Sequence, residues 1–132
     1  MTLDRLNPDA LARPSGFSHA VVATGSRLVL LAGQTALDAD GRIVPGDLPA
    51  QFEQALTNLL TALHAAGGTP AELARVTVYT TDVPAYRTHA AELGRLWREH
   101  AGRDYPAMAL IGVTRLWDEE ALVELDGTAM LE

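Results

Sequence analysis

Between Ala121 and Leu131 the chain alternates without a break: Val123, Leu125, Gly127, Ala129 and Leu131 form one set, and Leu122, Glu124, Asp126, Thr128 and Met130 the other. Successive side chains of a strand point to opposite faces, so this segment is a strand with one apolar face and one face mixing acids with Leu and Met. Such a strand needs sheet partners beside it and a layer of helix over its apolar side. The covering helix is also legible. Phe52, Ala55, Leu56, Leu59, Leu63 and Ala66 recur at spacings of three and four, Asp47 stands at the cap position, and Gly67 supplies the stop.

The other elements fall around these two. Phe17–Ala23 and Arg27–Gln34 are apolar runs of strand length separated by Thr24-Gly25-Ser26, which predicts a β-hairpin. Asp38-Ala39-Asp40-Gly41 is a second turn signal. Thr69-Pro70-Ala71-Glu72 has the Thr and Glu of a capping box with Pro at the first helical position, so a short helical turn follows. β-Branched residues dominate Ala74–Thr81 and predict a strand. A second helix starts near Asp82 or Pro84, carries Tyr86, Ala90, Leu93, Leu96 and Trp97 on one side, and ends by Gly102. Ala107–Thr114 reads as a strand, joined to the last one by a loop holding Trp117, Asp118, Glu119 and Glu120. Residues 1–16, with Pro8, Pro14 and Gly16, read as an irregular arm.

The expected fold is a single α+β domain over residues 1–132, a length that suits one domain, in the order β-β-α-β-α-β-β. It is a mixed sheet with two helices packed on one face. The other face keeps Val, Leu and Met side chains that a monomer would expose, which predicts a homo-oligomer.

Composition removes whole classes of chemistry. The chain has no cysteine, and all ten basic residues are arginine. Thiol nucleophiles, disulfides, Cys-ligated zinc, iron–sulfur clusters, Schiff-base lysines and a P-loop lysine are all excluded. A net charge of −7 and scattered arginines argue against a nucleic-acid partner. Apolar stretches such as Leu28–Ala32 are far short of a membrane span, and the start of the chain lacks the basic and apolar regions of a signal peptide. A cytoplasmic protein with no membrane partner is expected, and zero cysteine agrees with a reducing compartment.

Of the four histidines (His19, His64, His89 and His100) no two stand at i, i+3 or i+4, so no metal is expected. His64 and His100 come late in the two helices, where an imidazolium suits the macrodipole, and His89 reads as a surface helix residue. The three serines, Ser15, Ser18 and Ser26, lie outside any Gly-x-Ser-x-Gly, and GxGxxG is absent. No cofactor is expected. Glu124 is different. A mid-strand acid belongs either on a solvated sheet face or in a pocket, and in a cleft covered by a neighbouring subunit it could act as a general base or hold a water. Asp126 is its same-face companion at i+2.

The run Gly16-Phe17-Ser18-His19-Ala20-Val21, and Leu28 to Leu31 followed by Ala32-Gly33-Gln34, resemble the opening of the RidA (YjgF) family, whose members typically read Gly-Pro-Tyr-Ser-Gln-Ala-Val and later Val-Ser-Gly-Gln. Gln51, Gln54, Ala55, Leu56, Asn58 and Leu59, the helix stop Ala66-Gly67, Val76 to Asp82, Tyr105-Pro106-Ala107 and Leu122-Val123-Glu124-Leu125 follow in the family's order, so the resemblance covers Gly16 to Met130. It implies a chorismate-mutase-like α+β fold assembled as a homotrimer, with small-molecule clefts between subunits. It also implies hydrolysis of reactive enamines and imines to 2-oxo acids and ammonia. In the family an arginine directly after Pro-Ala fixes the substrate carboxylate, and a glutamate on the last strand positions the attacking water.

Here the glutamate is retained as Glu124, but Met108 follows Pro106-Ala107. The usual tyrosine falls at Phe17, the serine before Gly-Gln at Ala32, and a frequent cysteine at Leu110. The resemblance thus implies a catalytic Glu124 and a substrate pocket of Phe17, Ala32, Gly33, Met108 and Leu110, more apolar than the family's and without its anion anchor. Arg13, Arg103 and Arg115 are candidates to replace that anchor. The expected activity is a RidA-like hydrolysis of a small imine or enamine, and the alternative is a non-catalytic metabolite-binding protein of the same fold. Ribonuclease activity, also attached to the family, conflicts with the acidic charge balance.

Overall fold

The computed structural model describes residues 3–132. At its centre strand β6 (Val123–Leu131) runs antiparallel to β3 (Arg27–Gln34) on one side and to β4 (Leu73–Thr80) on the other, and β5 (Ala107–Gly112) extends the sheet parallel to β4 in the order β3-β6-β4-β5. The alternation read from the sequence is realised: Val123, Leu125, Ala129 and Leu131 are buried, while Glu124, Asp126, Thr128 and Met130 are half-buried on the opposite face.

Helix α1 (Leu48–Ala65) covers the apolar face with Phe52, Leu56, Leu59 and Leu63. The Asp47 carboxylate accepts the Ala50 N–H at 3.2 Å, satisfying one orphan donor of the first turn. At the other end Gly67 adopts φ +88°, and the N–H groups of Gly67 and Gly68 donate to the carbonyls of His64 and Leu63, the two-bond stop that a left-handed residue makes possible. Asp47→Ala should therefore cost about 1 kcal/mol of stability, read from urea denaturation.

The turn at Asp38–Gly41 forms as expected, with the Asp38 side chain accepting from the N–H groups of Asp40 and Arg42. The capping box at Thr69 also forms, with the Thr69 N–H donating to Glu72 Oε1 at 2.8 Å, and it opens a 3-10 turn at Pro70–Glu72.

Three expectations are corrected. The first sixteen residues are not wholly irregular, because Leu3–Leu6 forms strand β1, anchored by the buried Leu3; Met1 and Thr2 lie outside the described residues. The hairpin is absent. Strand β2 (Ala20–Ala23) pairs antiparallel with β1, and β3 pairs with β6. The intervening residues make a corner: the Ser26 N–H donates to the Leu131 carbonyl at 2.9 Å, and a Cβ on Gly25 would stand 2.3 Å from that oxygen.

The second long helix is broken at His89 into α2 (Val83–Thr88) and α3 (Ala90–Ala101), giving, among the described residues, three α-helices and the order β-β-β-α-β-α-α-β-β. At the break His89 turns to φ −95°, ψ 12° while its N–H still donates to the Ala85 carbonyl at 3.0 Å; Thr88 Oγ1 donates to the Pro84 carbonyl and His89 Nδ1 lies 2.9 Å from the Ala85 carbonyl, so side chains supplement the end of α2. His89 is accordingly half-buried rather than a plain surface residue. Together α2 and α3 form the crossover that parallel β4 and β5 require.

The sheet face away from the helices is uncovered. Leu28 and Leu30 on β3 are 59% and 75% exposed, and Ile111 on β5 is 44% exposed. The edge of β5 is met by the segment leading into β2: the Ser18 N–H donates to the Pro106 carbonyl at 2.9 Å and Ser18 Oγ to the Tyr105 carbonyl at 2.7 Å. Among the described residues no helix is long and apolar enough to cross a membrane.

Candidate functional site

Glu124 stands on the uncovered face, paired across the strands with Tyr79 of β4. Its position depends on a break in the β3–β6 register between Leu31 and Gln34, where Ala32 and Gly33 leave the ladder. A Cβ on Gly33 would lie 2.9 Å from Glu124 Cδ and 3.0 Å from its Oε2, so only glycine lets the carboxyl group lie over this backbone. Of the residues carried over from the resemblance, Ala32, Gly33 and Glu124 are therefore brought together.

Burial raises the Glu124 pKa above its ordinary 4.5, and the charge of Asp126 adds to the shift. Among the described residues no side chain hydrogen-bonds to the Glu124 carboxyl group, whereas Asp126 accepts the Tyr79 phenol at 3.2 Å. Asp126 is thus tied to the sheet, and Glu124 keeps its lone pairs for a water or a ligand. The same pair acts on the phenol: the Asp126 charge first, then burial, raise the Tyr79 pKa above 10.0. Asp126→Asn should bring that ionisation back down toward 10.0, followed by ultraviolet titration against a Tyr79→Phe control. An unmoved Tyr79 would mean that the two groups do not meet. Tyr79 was hidden in the sequence as one residue of a β-branched run, although its alternation with Val76 and Val78 assigns it to Glu124's face.

The other three carried-over residues form a second group. The Ser18 bridge lays Phe17 beside β5, where Phe17, Val78, Tyr86, Met108 and Leu110 line a depression of about 300 Å³. Met108 pairs with Val76 and Leu110 with Val78, so both lie on the helix side of the sheet. Glu124 is on the other side. One chain does not bring the two groups together.

Next to this depression lies a larger cavity of about 560 Å³ between α3 and the sheet, lined by Phe52, Tyr86, Leu93, Trp97, Tyr105 and Met108. Burial pushes the Tyr86 phenol up to about 12. Arg98 also lines this cavity, as do the small residues Ala90, Ala91 and Gly94. The sequence puts Tyr86 and Trp97 on a core stripe and offers Arg98 only as one of its scattered arginines. The run of small residues on the stripe-bearing helix was the one available sign that α3 leaves space beneath it.

Arg13, Arg103 and Arg115 are exposed and line neither group; the Arg115 guanidinium is engaged by the carbonyls of Leu116 and Trp117. Among the described residues, Glu53, Glu99 and His100 bring three metal-capable atoms together on the surface, with His100 Nε2 2.7 Å from Glu53 Oε2 linking α1 to α3.

The family model described as Endoribonuclease L-PSP matches residues 7–131. A RutC family protein of Pyrococcus horikoshii is 32% identical over 122 residues, covering 91% of each chain. A 2-iminobutanoate/2-iminopropanoate deaminase of Bos taurus is 29% identical over 115 residues, covering 86% of this chain and 79% of that protein. Among solved structures, a protein of unknown function of the Rid family from Yersinia pestis superposes with a TM-score of 0.89 at 39% identity, covering 99% of this chain and 100% of its own. With motifs, topology and these matches in agreement from the first sheet to the last strand, the chain belongs to the RidA (YjgF) family.

Proposed function

We propose that the protein is a cytoplasmic hydrolase of small imines or enamines, working without a cofactor in clefts between the subunits of a homotrimer. The observation that carries this reading is Glu124, a half-buried carboxyl group with a raised pKa and no hydrogen-bond partner among the described residues, set on an uncovered sheet face. The reading is also supported by the bovine relative, a 2-iminobutanoate/2-iminopropanoate deaminase. A second copy packed on that face would supply the Phe17, Met108 and Leu110 group that one chain holds apart from Glu124.

In the proposed reaction an enamine first tautomerises to its imine. Water gives a proton to the Glu124 carboxylate as its oxygen bonds to the imine carbon, and the C=N π pair moves to nitrogen. Glu124 returns the proton to the nitrogen of the carbinolamine. The hydroxyl then passes its proton, through Glu124, to the amino nitrogen, and the C–N bond breaks with its electron pair leaving on ammonia as the oxygen's pair forms C=O. The sum is imine plus water giving a carbonyl compound plus ammonia, with no change of oxidation state.

A second reading, a non-catalytic metabolite-binding protein, is favoured by Met108 standing where the family carries its carboxylate-binding arginine. The two readings separate in one experiment, in which imines are generated in situ from a panel of amino acids and ammonia release is compared between wild type and Glu124→Gln. Release above background that depends on Glu124 supports the hydrolase. Saturable binding of the corresponding oxo acids without release supports the binding protein.

A further inference from the structure

We infer that the cavity under α3 binds a small carboxylate carrying an apolar group of aromatic size, with Arg98 in place of the missing anion anchor. The inference rests on the small-molecule site proposed above and names its ligand class.

Three observations carry it. First, Arg98 is free to take an anion. One turn away Arg95 is engaged by Glu92 at 3.8 Å and Glu99 at 2.7 Å, whereas among the described residues Arg98 has no carboxylate within ion-pair distance. Second, its guanidinium lies at the cavity. Arg98 Nη1 is 3.2 Å from where a Cβ of Gly94 would stand, and Gly94 lines the cavity wall, so the absence of a side chain there leaves the guanidinium room across the helix surface. Third, the interior suits a large apolar group. At about 560 Å³ it falls in the size range of small-molecule sites, and Phe52, Tyr86, Leu93, Trp97 and Met108 give it ring faces and a thioether rather than charges.

Met108 fits this arrangement. An arginine at position 108 would place its charge in the space where the apolar group is to lie. With methionine there the interior stays apolar, and the charge moves to the exposed Arg98. A guanidinium fork still matches a carboxylate bidentately from that position. A ligand with a short side chain would leave the cavity empty, and one without a carboxylate would leave Arg98 unused.

The test is calorimetric titration of wild type, Arg98→Gln and Gly94→Leu with phenylpyruvate, pyruvate and phenylacetone. Gly94→Leu raises helix propensity, so it should fold, and it puts a side chain into the space beside Arg98. Wild type is expected to bind phenylpyruvate well ahead of both controls. Arg98→Gln should weaken that binding roughly tenfold or more, the scale of a lost charge-assisted fork, and Gly94→Leu should remove most of it. Unchanged phenylpyruvate binding in Arg98→Gln, or pyruvate binding as tightly as phenylpyruvate, would overturn the inference. Arg98-dependent binding with no turnover of the matching imine would retain it and remove the hydrolase reading. Turnover of short-chain imines without Arg98-dependent binding would do the reverse.

Discussion

Replacing Glu124 by Gln is expected to lower imine turnover by roughly two to four orders of magnitude, the contribution of a positioned general base. The amide has the size of the acid and can occupy the same space over Gly33, but it cannot take a proton from water. The pH dependence follows from the direction of the shift. Burial and Asp126 hold the Glu124 pKa above 4.5, so wild-type turnover should fall on acidification with a limb above the ordinary glutamate range. Stability runs the other way. A raised folded-state pKa means that the neutral acid is favoured in the fold, so its contribution is complete below the unfolded pKa and is lost as pH rises through the folded value. Gln lacks that loss. The variant should therefore melt at or above the wild-type temperature at neutral pH and lose the advantage in acid. Turnover unchanged in Glu124→Gln would remove this residue from the mechanism.

The elements that were legible in the sequence are those whose signal is local. The alternation of β6, the stripe and caps of α1 and the Asp38 turn each depend on neighbours within a few residues, and each forms where it was expected. The corrections concern partners far apart in the chain. Nothing in Leu3–Leu6 marks it as a strand until Ala20–Ala23 lies beside it, and Thr24-Gly25-Ser26 closes a hairpin by local rules but serves instead as a corner against Leu131. The break at His89 is a change of backbone angles that leaves the His89 N–H bonded to the Ala85 carbonyl, and the apolar stripe does not register it. The site divides in the same way. Glu124 could be picked out as an acid inside a strand, yet its separation from Met108 needs the parity of three strands, and the relation of Arg98 to the cavity needs the space at Gly94.

That separation bears on assembly, and Leu30→Asp tests it. Leu30 is 75% exposed on the edge strand, opposite Thr128, and Leu28 beside Met130 is 59% exposed on the same face. A side chain this exposed gains little from the folding of one chain, so the substitution should change the stability of the isolated chain by about 0.5 kcal/mol or less. In the proposed trimer the face is dry, and burying an unpaired carboxylate there costs several kcal/mol, repeated at each equivalent contact. The expected result is a fall in mass by light scattering from three chains to one, with far-ultraviolet circular dichroism preserved. Turnover should fall with it, because Glu124 and the Phe17, Met108 and Leu110 group lie on opposite sides of the sheet and a lone chain has no way to join them. A Leu30→Asp protein that keeps both the mass and the turnover of wild type would mean that this face is not the subunit contact, and the site would then have to be built from one side of the sheet alone.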